Sequence, residues 1–381
     1  MADHPYKGLP AYCFWRGSIA EPPPVEVDPV VAGKFKLAKS DRIVTAGSCF
    51  AQHIASHLQR NGFTYFVTES AHPLFPPDLV NDYNYGVFSA RYGNVYTSRQ
   101  LVQLLERAYG LFEPKEVYWQ RADGRCIDPF RPQIQPNGFA SLAEFHADRA
   151  QHFAAVRQAV EQLDVFVFTL GLTETWVAKS DGAAFPLCPG VAGGVYDDAL
   201  YAFLNLGVWD VVQDLRRALS FIRARNPKAK VILTVSPVPL VATAEDRSVL
   251  VSTTYSKSVL RVAAEEVARD RDYVAYFPSY EIITGNHTRG AYFGADLRSV
   301  TEAGVEHVMR LFLKHYGGAE TGDAVAPSAD TTAAMAERVA SHTRDMEEIA
   351  RVVCEEEALD APRHTTAGRG KRQAPVKHKS A

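Results

Sequence analysis

What the chain lacks narrows the possibilities first. Among 381 residues there are only five cysteines, Cys13, Cys49, Cys126, Cys188 and Cys354. They are odd in number, far apart and without a C-x-x-C pair, which argues against a disulfide scaffold and for reduced thiols in a cytosolic protein. Neither sign of charge is in excess: 41 Lys and Arg against 44 Asp and Glu leave −3. No whole-molecule positive field is available to gather nucleic acid, so a nucleic-acid partner is not expected. No run reaches the roughly 18 apolar residues of a membrane helix, so no membrane span is expected. The first ten residues carry His4 and Lys7 and no apolar stretch, so no secretory leader is expected. Gly-x-Gly-x-x-Gly and P-loop patterns are missing too, and with them any indication of a dinucleotide or ATP cofactor. His53 and His57 are spaced like a zincin pair, but Ile54 stands where the glutamate is needed, and no metal site is predicted.

What is present is globular: 46% hydrophobic, 22% charged, and long enough for one elaborated domain or two smaller ones. Residues 1–40, with Pro22, Pro23, Pro24 and Pro29, read as an irregular arm. Arg42–Ala46 reads as a short buried strand ending at Gly47. A helix follows from Phe50 to about Arg60, its apolar face formed by Ala51, Ile54, Ala55 and Leu58 and its end marked by Asn61-Gly62. Phe63–Val67 is predicted as a second strand. Helices are predicted near 98–111 and 141–163, then apolar strands at Val165–Leu170 and Lys230–Val235 with a helix near 209–225 between them. A helix over 256–270, a fifth strand at Tyr273–Phe277 and a last helix over 301–315 complete the pattern. Strands alternating with helices predict α/β architecture, a three-layer α/β/α sandwich around a mainly parallel five-stranded sheet within residues 41–318. Insertions are expected at about 70–160 and 175–207. A helical extension is expected over 319–360, with Ala333–Leu359 helical, and a basic disordered tail over 361–381.

In such sheets ligands bind beyond the carboxyl ends of the strands. The first strand runs into Gly47-Ser48-Cys49-Phe50, directly before a helix whose N-terminus favours developing negative charge. Ser48 is therefore a candidate nucleophile as well as an ordinary helix-capping residue. Cys49 is a rival, since a helix N-terminus lowers a thiol pKa; a small buried side chain is its blander role. The third strand ends in Gly171-Leu172-Thr173-Glu174-Thr175-Trp176, where Gly171 permits close backbone approach and Thr173 can donate to an oxyanion or cap a helix. Aromatics at the strand ends, among them Trp176, Tyr280 and Tyr292, can stack on sugar rings or fill the core.

Gly47-Ser48-Cys49-Phe50-Ala51 resembles the signature of the GSCFA family. Gly171–Glu174, Leu233–Val238, Ser256-Lys257 and Tyr276–Glu281 resemble its further blocks, in order, over about Ile43 to Tyr316. That family is similar to the SGNH, or GDSL-like, hydrolases, which implies a flavodoxin-like sandwich and a serine esterase or O-acyltransferase acting on ester-linked acyl groups, carbohydrate O-acyl groups foremost. The resemblance implies Ser48 as nucleophile, its own amide as one oxyanion donor, and a glycine, Gly86 or Gly93, as another. Thr173 falls where many SGNH enzymes carry asparagine, followed by Glu174 in place of aspartate. Their closing Asp-x-x-His is here Asp296-Leu297-Arg298-Ser299, with serine in the position of the base. His287, oriented by Asp296, is the expected substitute; His72 is the second candidate for base or substrate contact. The departure also admits a catalytically silent binding protein that retains the pocket.

Overall fold

The structure is a computed structural model that describes residues 4–318 and Leu359; the expected C-terminal extension and basic tail otherwise lie outside the described residues. Among the described residues nine strands and seven α-helices succeed one another as β1 (Ile43–Gly47), α1 (Phe50–Arg60), α2 (Ser98–Ala108), β2 (Trp119–Gln120), β3 (Cys126–Ile127), α3 (Leu142–Gln162), β4 (Val165–Leu170), β5 (Glu174–Ala178), β6 (Ala184–Phe185), β7 (Tyr201–Asn205), α4 (Val208–Arg225), β8 (Lys230–Val235), α5 (Val249–Arg269), β9 (Val274–Tyr276), α6 (Ser279–Thr284) and α7 (Glu302–Tyr316).

The main sheet is parallel, in the order β1-β4-β8-β9. Alternation along its strands divides the core into two. Val44, Ala46, Phe166, Phe168, Leu170, Val231, Leu233 and Val235 face α2, α3, α4 and α5. Ile43, Val165, Val167, Ile232 and Ala275 face α1, α6 and α7. Helices thus cover both faces, which is why the strands read as unbroken apolar runs. Each buried Val, Leu, Ile or Phe contributes about 1.5–3 kcal/mol.

The sheet has four strands rather than the expected five. Phe63–Val67 lies beside β1 but makes one parallel bridge, Ile43 with Tyr65, through Ile43 N to Thr64 O and Phe66 N to Ile43 O. The ladder stops there because the segment at 89–96 occupies the rest of the β1 edge. Ser89 Oγ accepts from Thr45 N, the Tyr92 hydroxyl donates to Thr45 O, and Val95 N donates to Gly47 O. Thr68 is drawn off to Ser89 O and Ala155 O. Helix α5 also begins seven residues before the expected start at 256, its first turn running through the β-branched Val249 and Val251.

The insertion at 70–160 is held by charge. Arg91 Nη1 lies 2.8 Å from Asp148, Arg131 reaches Asp148 at 2.7 Å and Asp128 at 2.9 Å, and Arg149 reaches Asp128 at 2.8 Å. Glu69 Oε2 accepts from Arg91 N and lies 2.7 Å from His152 Nδ1. Arg91, Arg131, Asp128, Glu69 and His152 are all buried. The neighbouring cations and hydrogen bonds outweigh burial and hold Glu69 down at about 2, and keep Asp128 well below the usual carboxylate range. Burial, aided by Arg131, lowers the His152 pKa. The second insertion, 175–207, forms an antiparallel sheet in the order β6-β5-β7. Thr173–Trp176 accordingly runs into a strand, not a helix. The N-terminal arm packs on α7: His307 Nε2 lies 3.0 Å from Val27 O, His315 Nε2 lies 2.7 Å from Asp28, and Leu37 N donates to Tyr316 O.

Candidate functional site

The first connection from β1 leads to one side of the sheet and the chain then returns to β4 on the other. The carboxyl ends of β1 and β4 therefore lie side by side where these connections part to opposite faces. Gly47 sits there with φ +140°, and a Cβ on it would lie 2.2 Å from Thr169 O, so the turn that presents Ser48 requires glycine. Gly171 approaches from β4: a Cβ there would meet Ser48 Cβ at 3.0 Å and Tyr96 O at 3.1 Å. Its amide donates to Tyr96 O.

Ser48 is buried, and among the described residues its Oγ has no hydrogen-bond partner; Thr169 Oγ1 is a second buried hydroxyl without one there. A buried polar atom left unpaired costs about 1–3 kcal/mol, so two in adjoining strand ends need an explanation other than stability. Ser48 O accepts from Ala51 N in the first turn of α1, an eleven-residue helix whose N-cap, Cys49, directly follows Ser48. The Ser48 amide itself donates to Thr169 O at 3.2 Å.

The site residues expected from sequence separate into two groups. Gly171 and Thr173 stand with Ser48 at the strand ends. Thr173 is fully buried, and its hydroxyl donates to Asn205 Oδ1 at 2.7 Å. Glu174 accepts from Thr243 Oγ1 at 2.7 Å, and burial raises its pKa. Trp176 lies on β5, packed edge-on against Tyr196 and Phe203. Of the two candidate glycines, Gly86 is exposed, whereas Gly93 is buried two residues before Val95, which bonds Gly47 O.

The histidines belong to the second group. His287 follows α6 in a short 3-10 turn, Asn286–Thr288, that packs against the N-terminal arm at Pro24–Glu26; its Nε2 is buried and unpartnered, and burial lowers its pKa. Asp296 does not orient it. That carboxylate accepts from the Ser299 hydroxyl at 2.5 Å and from the amides of Arg298 and Ser299, closing its own loop, which lowers its pKa. His72 is exposed, with Nδ1 accepting from Leu74 N. Among the described residues no histidine is hydrogen-bonded to Ser48 Oγ. His53 and His57 lie on the flank of α1, and burial pushes His53 down to about 4.

Sequence reasoning assigned no chemical task to Ser256-Lys257. Ser256 Oγ accepts from Thr173 N at 3.0 Å, and Lys257 Nζ donates to Gly171 O at 2.7 Å, so α5 grips both ends of the Gly171–Thr173 loop. The signal was present: Lys257 occupies the buried stripe of α5 with Leu260, Ala264 and Val267. Asn94 was missed altogether. It is buried beside Val95, and Gln52 Nε2 on α1 donates to its Oδ1 at 3.2 Å, which makes Nδ2 the donor end of the amide.

Fold and site together define an α/β protein with a parallel main sheet, whose candidate centre is a buried serine at the end of β1, just before α1. Residues 42–312, well over half of the chain, match the GSCFA family, and the protein belongs to that family. No curated protein matches it. Among the described residues no helix is long and apolar enough to cross a membrane.

Proposed function

We propose that the protein is an SGNH-like serine esterase or O-acyltransferase in which Ser48 forms an acyl-enzyme with an ester-linked acyl group, carbohydrate O-acyl esters being the first substrates to test. The observation that carries this reading is the unpaired, buried Ser48 Oγ at the helix N-terminus beside Gly171. With the Tyr65 bridge counted as a vestigial second strand, the sheet order runs second, first, third, fourth, fifth, which supports a flavodoxin-like layout with its site at β1 and β4. Ser48 Oγ attacks the carbonyl carbon, and the developing oxyanion meets the positive end of α1 and the buried 93–94 segment; the ester C–O bond then breaks and the alcohol leaves with the proton that Ser48 gives up. Water or a sugar hydroxyl then accepts the acyl group.

One observation favours a second reading, a binding protein that retains this pocket without turnover. Among the described residues no histidine is hydrogen-bonded to Ser48 Oγ, and both the Ser48 amide and the Thr173 hydroxyl already donate within the protein. A serine without a base is a poor nucleophile at neutral pH. Labelling by a fluorophosphonate probe separates the two readings. The esterase reading expects labelling of the wild type that is lost in Ser48→Ala, together with turnover of aryl acetates. Folded wild-type protein that neither labels nor hydrolyses any ester would overturn it.

A further inference from the structure

The buried charges of the first insertion do not balance. Asp128, Asp148 and Glu69 neutralise Arg91, Arg131 and Arg149. A fourth cation, Arg107 in the last turn of α2, adjoins the same group and has no share in it. Both oxygens of Asp128, the nearest carboxylate, are already taken, by Arg149 and Phe130 N on one side and Arg131 on the other. Among the described residues the Arg107 guanidinium makes no ion pair. It stacks on Phe130 at 3.8 Å, and its Nε is wholly shielded and unpartnered. Burial next to Arg149 and Arg131 lowers its pKa to about 9. Arg107 as a whole is half-buried, but its shielded Nε lacks an acceptor, a deficit that a bound anion makes good.

The place for that anion is visible. Arg107 lines a cavity of about 10 Å³, room for about one water-sized group, with Gln100, Gln103, Asn94, Tyr92 and Phe130. Gln100, Gln103 and Arg107 recur at spacings of three and four on α2 and so share one face. Gln100 Oε1 is held by Thr97 in the helix cap, which leaves Nε2 as its donor end. Gln103 is pinned by Gly182 O and Ala184 N.

We infer that the Arg107 cavity is an anion site, built to take a halide ion or one oxygen of a small carboxylate between the guanidinium and the Gln100 amide. The inference does not depend on the chemistry of Ser48.

Thermal unfolding of the full chain tests it. Sodium chloride and sodium formate are each titrated against sodium gluconate at matched ionic strength, gluconate being too large for the cavity. The expected result is a rise in Tm of roughly 2 °C per tenfold excess over Kd with chloride, formate or both, absent in Arg107→Met. A response to chloride alone assigns a halide site, and a response to formate alone a carboxylate site. No specific rise in the wild type, or the same rise in Arg107→Met, overturns the inference. Should Arg107→Met not fold, wild-type crystals soaked in bromide decide: anomalous scattering against the Arg107 guanidinium supports the site, and its absence at saturating bromide overturns it.

Discussion

The Ser48 site stands between two regions that achieve order by opposite means. On one side the parallel sheet packs alternating Val, Leu, Ile and Phe against helices, and its strand interiors carry no charge. On the other, the insertion at 70–160 sets arginines against carboxylates, with partners up to 57 residues apart. The first region is ordered by transfer of apolar surface, which tolerates changes of shape at moderate cost. The second is ordered by pairing, in which loss of one member leaves the other charged and dry.

The strongest way to break that contrast is to remove one charge. Asp128→Asn leaves Arg131 and Arg149 without their shared carboxylate and is expected to cost about 3–5 kcal/mol in urea unfolding. A cost below about 1 kcal/mol would show that the pairs contribute little to folding. Leu233→Ala, fully buried in the sheet, is expected to cost about 2–5 kcal/mol by creating a cavity. Unlike Asp128→Asn, it should leave the acid sensitivity of the protein unchanged.

Acid sharpens the comparison. His152 binds its proton less readily in the folded protein than in the unfolded chain, so stability present above about pH 6.5 is lost as pH falls below it. Glu69, depressed to about 2, adds a further loss between about pH 4.5 and 2. Hydrogen exchange at pH 4 should therefore open the insertion before β4 and β8; simultaneous opening would contradict the division. The smallest effect belongs to an exposed pair. Arg216→Ala, which breaks the 2.8 Å contact with Asp270 at the surface, is expected to change stability by no more than about 0.5 kcal/mol.

The same division governs what could be read from the sequence. Val165–Leu170 and Lys230–Val235 announce themselves because a strand covered on both faces must be apolar throughout. The expected second strand failed because a hydroxyl and a tyrosine from 89–92, distant in sequence, took its hydrogen-bond partners on β1. Nothing marks Arg91 or Arg131 as buried, since isolated arginines ordinarily lie in water and their partners are known only from the fold. At the candidate site, Gly47, Ser48 and Gly171 were legible from their positions after strands. The base was sought among histidines near a sequence pattern, but Asp296 turned out to serve its own loop.

Strand β1 joins β4 residue for residue, Ile43 to Val165 through Gly47 to Thr169, across more than a hundred intervening residues. Closing so large a loop is entropically slow, whereas β8 and β9 meet through a single helix. The pocket around Ser48 spans that long closure and should form in the final stage of folding. The appearance of a reactive Ser48 during refolding would then act as a clock for completion of the whole domain, lagging the helical signal.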